Sequence, residues 1–580
     1  MKIELPMRNH STPPRLTDLR STVVVIGGGV AGAWVAYQLA KAGIQTTLIA
    51  YDGIDRGGLQ GASRKSAGAM NTSPLASRGR DFQLEKLGHG QTHPSVERTL
   101  HLYLSKALGE LSDLVDLKPV KIGFALRAGN GEALLRILCH AFRERGGQVV
   151  DGWVTRLLAD ATACRGVQYE AAAGIGKIHC RAIVIATGGY SGLLANAIRT
   201  NCFGNVLGSY LQAGGIATNL EFFFKHGYGN IDAHAVTPTE ELPGAEIYND
   251  HQERVRWLEA LLFERQGTNT HLQAVQLWLQ NPSKQFYIDL SYRSLYLELA
   301  QWHAQRARDA SAGMDQVLEL FPAESRPLAK GLILEAVRER HGVEYQTFER
   351  LKALCPKGGG KRFRVRPLTY FSMGGVGHVD FRTNLHAVYV AGEAMHDFGA
   401  NRVGGLPWSL YLASAYLIVE RLSSEVAASG EYQENFELIA KHAHFDARLL
   451  EEIQVRLYEA QERNLTAAHA EEFLRWVRRK RAELEASSEF LHDGVSWLLV
   501  AEAIMQASLC RTESRGFFFR LDFQQENQAL DHSYSCAWYD QASGQISARL
   551  LTWEELAARF PGDRDKHGQE LSYDGIVQRC

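Results

Sequence analysis

The sequence predicts an α/β fold, a doubly wound sheet with an inserted domain and a helical region after it. Three observations carry this. Val23 to Gly32 reads VVVIGGGVAG: a β-branched run, then Gly27, Gly29 and Gly32 in G-x-G-x-x-G spacing, then an amphipathic segment. That order is a strand, a tight turn and a helix. Residues 20 to about 225 alternate strand-like and helix-like segments. Residues 367 to about 425 return to this character after a stretch of different texture, so the sheet domain is discontinuous.

The elements follow in order. Residues 1–20 hold Pro6, Pro13 and Pro14 and no apolar signal core, and read as a loose arm. The glycine turn comes next; its backbone N–H groups and helix N-terminus suit a pyrophosphate. Ile44 to Ala50 reads as a second strand and Glu132 to Arg145 as a helix closed by Gly146 and Gly147. Ala182 to Ala186 is an apolar strand ending in Thr187-Gly188-Gly189. The sheet domain therefore takes 21–225 and 366–428. The insert, 226–365, carries long helices at Leu295 to Ala310 and Pro327 to Arg340. It closes with the basic loop KGGGKRFRVR, Lys357 to Arg366, which could grip an anion but reads better as a solvated hinge. Residues 429–580 hold charged amphipathic helices at Phe436 to Arg463 and Ala468 to Ser487, then a more irregular tail.

Composition narrows the class. Lys+Arg 63 against Asp+Glu 65 leaves a formal charge of −2 over 580 residues, so no bulk field favours nucleic acid or anionic lipid. Nothing reaches the roughly 18 consecutive apolar residues of a membrane span. Eight cysteines are scattered without a C-x-x-C, which argues against a disulfide framework, a metal site or a cysteine-ligated cluster. A reducing, cytoplasmic setting is the expectation.

Further blocks make the glycine turn specific. They are IVIATGGYSGL (Ile183 to Leu193), EFFFKHGYG (Glu221 to Gly229), FYIDLSY (Phe286 to Tyr292) and PLTYFSMGGVG (Pro367 to Gly377). VAGEAMHDFGANRVGG (Val390 to Gly405) and SLCRTESRGFFFRLDF (Ser508 to Phe523) complete them. In this order they resemble the flavoprotein family of succinate dehydrogenase, fumarate reductase and L-aspartate oxidase. The resemblance implies a discontinuous Rossmann-like FAD-binding domain, an inserted α+β capping domain and a helical C-terminal domain.

It also implies roles. Gly27, Gly29 and Gly32 would cradle the FAD pyrophosphate, and Thr187, Gly188 and Gly189 would let the backbone approach the cofactor. Glu393, in A-G-E, would accept hydrogen bonds from the flavin or ribityl hydroxyls; Ser409 joins this set. Ser63, Ser66 and Gly68 fall in the loop that wraps the isoalloxazine. Some members carry a histidine there that bonds FAD covalently; Arg64 matches that position, so non-covalent FAD is expected. Arg402, in G-A-N-R, would pair with a substrate carboxylate, the alternative being a structural pair with a helix C-terminus. His226 would meet the other end of the substrate, or else is a packed domain-boundary histidine.

The chain departs from the pattern in several places. Tyr370 stands where the family has a second substrate histidine; it can donate a hydrogen bond but carries no positive charge. The family's R-G-E-G-G arginine, which delivers a proton, is unmatched: Glu241 falls near it, and Arg254 or Arg293 are the remaining candidates. The ribose-binding acid falls on Ala50, with Asp52 two positions on. The family's G-D-G is matched by Gly204-Asn205-Val206.

The expected function is hydride transfer between FAD and a carboxylate-bearing small molecule other than succinate or fumarate. The alternatives are a flavoprotein subunit working with an electron-transfer partner, and a degenerate relative without catalysis.

Overall fold

The computed structural model describes the chain from residue 14 to residue 560, apart from 52–69, 73–83, 121–122, 129–130, 199–201, 234, 237–241, 243, 265–271, 273–274, 276–285, 307–313, 339–344, 403, 429–435, 440–442 and 487–490. Asp52, Ser63, Arg64, Ser66, Gly68 and Glu241 lie outside the described residues. The chain divides into two compact units. One is Met1–Phe224 with Tyr370–Cys580; the other is Lys225–Thr369.

The first unit is built on a seven-stranded sheet. Leu19–Ile26 (β1) lies between Thr46–Ala50 (β2) and the long strand Gly174–Ile185, parallel to both. Gln148–Asp151 extends the sheet beyond β2, and Val388–Val390 pairs with Gly174–Ile185, again in parallel. Val23, Val24, Val25, Ile183, Val184 and Ile185 are all 0% exposed. Such unbroken apolar runs are what a sheet covered on both faces needs. The register sets Val25 against Leu48 and Val184, and Val390 against Ile185. These parallel strands therefore end at one edge, where the glycine turn, Thr187-Gly188-Gly189 and Gly392-Glu393 follow. In an open α/β sheet this carboxyl edge is the ligand edge.

The C-terminal region belongs to the same compact unit. The helix expected from Phe436 begins only at Ala447, where Asp446 accepts the Arg448 and Leu449 N–H groups as its cap. It runs to Leu457 and continues as a π-helical turn, Tyr458–Arg463. Ala467–Glu485 and Asp493–Cys510 follow. The tail that read as irregular holds a hairpin, Ser533–Asp540 with Gln545–Thr552. It joins Ile216–Thr218 and Gly375–Val376 in a four-stranded sheet. Among the described residues no helix is long and apolar enough to cross a membrane.

The second unit is α+β. Its five-stranded sheet runs Ala235–Val236, Phe223–Asn230, Arg362–Ser372, Phe286–Asp289, Glu246–Asn249. Its helices pack around Leu295, Leu299, Trp302, Phe321, Ile333 and Phe348. The basic loop is exposed from Lys357 to Arg362, as a solvated segment is, and several of its cations are paired. Lys357 pairs with Asp289 at 2.8 Å, Arg364 pairs with Asp232, and Arg362 stacks on Tyr248 and Tyr287, each 5.1 Å from the ring centre.

Candidate functional site

The glycines of the first turn are constrained in two different ways. Gly27 has φ +111°, and a Cβ there would lie 2.2 Å from the Ala186 carbonyl oxygen. A Cβ on Gly32 would lie 2.0 Å from the Gly27 carbonyl oxygen. Both are fixed by the protein itself. Gly29 is not: its φ is −70°, and a Cβ would meet nothing within 4 Å. Gly29 also caps the helix Val30–Lys41 (α1), with no side chain on the free N–H groups. Open space beside an uncapped helix N-terminus is what a phosphate-bearing ligand fits.

The same edge is shaped further along. Gly188 has φ +74°, and a Cβ on Gly189 would overlap the Ser372 hydroxyl and come within 2.6 Å of Glu393 Oε1. Glu393 Oε1 accepts the Ser372 N–H and the Ser372 hydroxyl, both at 3.1 Å. Burial pushes the Glu393 carboxyl up to about 7, against the pull of Arg402. The Ser409 hydroxyl is turned to the protein, donating to the Asn71 carbonyl at 2.8 Å. At the end of β2, Ala50 is buried and Tyr51 packs edge-on against Trp153.

Arg402 is 6% exposed. Its guanidinium stacks on Phe371, 3.6 Å from the ring centre, and on Phe224 at 4.9 Å. Among the described residues it closes no ion pair and no hydrogen bond of ordinary geometry, and none of its nitrogens is an enclosed orphan. Stacking holds the plane and leaves the N–H edges for a planar anion. The structural alternative, a pair with a helix C-terminus, is not what Arg402 makes.

Three neighbours of Arg402 had no role in the sequence reading. Asp397 is 1% exposed, and burial pushes its carboxyl up to about 7, with Arg402 pulling the other way. The Tyr411 hydroxyl lies beside Arg402 and Asp397 but completes no hydrogen bond of good geometry. Ser372 holds Glu393. The one available signal was Asp397 itself, an acid in the glycine-rich stretch five residues before Arg402.

The remaining nominees separate. Tyr370 packs edge-on against Phe371, ring centres 4.1 Å apart. His226 lies on the strand Phe223–Asn230 and belongs to the second unit. There Arg254 is clamped by Glu246, Glu259 and Glu349, so its guanidinium is committed. The Arg293 Nε is buried without a partner. Asn205 is an internal bridge rather than a cofactor acid's replacement. Its amide donates to Asp493 at 2.9 Å and accepts the Trp497 indole N–H at 3.1 Å. A groove of about 870 Å³ between the helices Ala447–Leu457 and Ala467–Glu485 contains none of these residues.

Residues 22–118 match the family model "FAD dependent oxidoreductase", and residues 480–565 match "Fumarate reductase flavoprotein C-term". The fold is shared with E. coli quinol fumarate reductase FrdA at 16% identity and TM-score 0.63, covering 93% of this chain and 97% of that one. Mycobacterium smegmatis Sdh1 gives 16% identity and TM-score 0.66 over 93% and 94%. Adenylylsulfate reductase from Archaeoglobus fulgidus gives 14% and 0.63 over 93% and 97%. No curated protein matches the chain. The class of protein that these matches point to is an FAD-dependent oxidoreductase. Its C-terminal segment is similar to that of fumarate reductase flavoproteins, and its fold is shared with them.

Proposed function

We propose that this chain transfers a hydride between FAD and a small molecule that it grips by one carboxylate. The observation that carries this reading is Arg402: buried, lying over the Phe371 ring with Phe224 beside it, and closing no ion pair among the described residues. A guanidinium so placed binds a carboxylate in a forked pair and fixes one end of the substrate. When bound, FAD supplies the two-electron chemistry at the carboxyl edge of the sheet. Gly29 and the α1 N-terminus would hold its pyrophosphate, and Glu393, partly protonated near neutrality, would meet its hydroxyls.

Succinate and fumarate suit this chain poorly. Tyr370 replaces a chargeable histidine, and Arg254, one replacement for the missing arginine, is held by three carboxylates. One arginine and a tyrosine fit a monocarboxylate end, as on an amino acid, a hydroxy acid or a larger intermediate.

The FAD is non-covalent in this proposal, since Arg64 stands at the attachment position. Acid precipitation tests that point: the yellow colour should stay in the supernatant. The function itself is tested by anaerobic titration of the flavoprotein with a carboxylate panel. Bleaching by at least one compound, abolished in Arg402→Met, is expected; a bound flavin that no carboxylate reduces overturns the reading. His226→Ala in the same titration reads the part played by His226. A partner protein that accepts the electrons and a cytoplasmic setting complete the proposal; gel filtration of the native protein and cell fractionation test them.

A further inference from the structure

The family's proton-delivering arginine is unmatched at its expected place in this sequence, yet a hydride transfer to or from a neutral bond moves a proton as well. The surroundings of Arg402 offer a place for it. Asp397 is 1% exposed and one of its oxygens accepts the Phe398 N–H at 2.5 Å. The titratable and charged groups that face it are Arg402, Tyr411, Glu393 and Tyr190. One arginine thus stands among two buried acids, and each acid has its carboxyl pushed up to about 7. The Tyr411 hydroxyl is enclosed and lies within reach of both Arg402 and Asp397, without a hydrogen bond of good geometry to either. A buried hydroxyl without a well-formed hydrogen bond is unfavourable. A bound ligand on Arg402 would remove that cost.

We propose that Asp397 and Tyr411 are the proton store and the proton conduit of this site. The Tyr411 hydroxyl exchanges a proton with the molecule anchored on Arg402, and Asp397 replaces it. In the reductive sense the substrate gains a hydride at carbon and a proton from the Tyr411 O–H. That bond breaks as the phenolic oxygen takes the Asp397 proton, and Asp397 is recharged from solvent. In the oxidative sense each transfer runs backwards, so electrons and protons balance in both directions. Tyr411 is the group that touches substrate; Asp397 acts through it and is a positioning residue. This inference rests on Arg402 being the carboxylate anchor.

The coupling has a signature that needs no turnover. A carboxylate on Arg402 cancels the positive charge that holds the Asp397 proton affinity down, so binding draws in a proton. Malonate is the probe. Calorimetric titration of the FAD-loaded protein in buffers of different ionisation enthalpy counts the protons taken up. Roughly half a proton per malonate is expected at pH 7, falling towards zero at pH 5.5, where the acids are already protonated. Asp397→Asn should bind malonate with less than half the wild-type uptake. Tyr411→Phe removes a neighbour that lowers the Asp397 proton affinity, so its uptake midpoint should move to higher pH. No uptake in the wild type, or full uptake in Asp397→Asn, overturns the proton store. An unmoved midpoint in Tyr411→Phe overturns the conduit. Should Asp397→Asn not fold, the wild-type pH series and Tyr411→Phe still decide. Absent malonate binding, or binding that survives Arg402→Met, overturns the anchor reading instead, and this inference with it.

Discussion

Arg402 and Arg511 are both buried arginines of the same compact unit, and the protein treats them in opposite ways. Arg511 is 0% exposed and every part of its fork is used. It pairs with Glu221 at 2.6 Å and Glu513 at 2.9 Å, and donates to the Ser533 carbonyl at 2.9 Å. Glu513 in turn holds Arg515 through two contacts of 2.8 Å. This network ties the C-terminal segment to the chain just ahead of the second unit. Arg402 lies over the Phe371 ring with Phe224 beside it and closes no salt bridge among the described residues. Burial of a charge is expensive unless it is paired. A paired one reads as structure; an unpaired one beside acids that hold their protons reads as a binding site.

The largest expected effect breaks the structural half of this contrast. Arg511→Met leaves buried Glu221 with the Ser535 hydroxyl but no cation, and Glu513 with Arg515 as its remaining cation, and should cost about 3–5 kcal/mol in denaturant unfolding. A variant as stable as the wild type would mean that the network is not what holds the C-terminal segment. Next comes the functional half. Arg402→Met should unfold within about 1 kcal/mol of the wild type, because no partner is orphaned. Its affinity for the responsive carboxylate should fall about a hundredfold, read by flavin absorbance titration.

The glycine turn repeats the contrast on the backbone. Gly27→Ala meets the Ala186 carbonyl and a positive φ, and should lose about 2 kcal/mol or more in the apoprotein. Gly29→Ala meets no protein atom and should fold normally while FAD affinity drops, measured by fluorescence titration. Equal behaviour of the two would dissolve the distinction.

Protonation sharpens the same point. The folded Asp397 carboxyl titrates near 7, above its ordinary value of 3.8. The folded state therefore holds a proton that the unfolded chain loses from about pH 4, and this stabilisation fades as pH rises through 7. Asp397→Asn keeps the neutral form throughout. It should exceed the wild type in stability by on the order of 2 kcal/mol at pH 8, and by much less at pH 5, in paired thermal melts. The smallest effect belongs to Ser409→Ala. Loss of one hydrogen bond to Asn71 should cost about 1 kcal/mol. A matching loss of FAD affinity would place Ser409 among the cofactor contacts as well.

Much of the fold was legible because it is written locally. The run VVVI followed by Gly27 identifies a buried strand and its turn, and the Thr187-Gly188-Gly189 and A-G-E segments each follow an apolar strand. The hairpin near the C-terminus escaped notice because its partners, Ile216–Thr218 and Gly375–Val376, lie far away in sequence. The helix start at Ala447 was overrun because amphipathic spacing continued upstream, while the Asp446 cap set the boundary. Asn205 looked like a substituted cofactor residue until Asp493 and Trp497 claimed its amide.

The sequence by itself determined the buried strands and the glycine turns that follow them, since period and turn chemistry decide those locally, whereas Arg402 was singled out only by the resemblance. Only the tertiary structure decided which buried arginine is spoken for. The partners of Arg511 come from Glu221 and Glu513, and those of Arg402 are rings from Phe224 and Phe371. Coulomb and desolvation energies depend on distance in space, so two arginines in equally recognisable motifs acquire opposite roles when the chain closes.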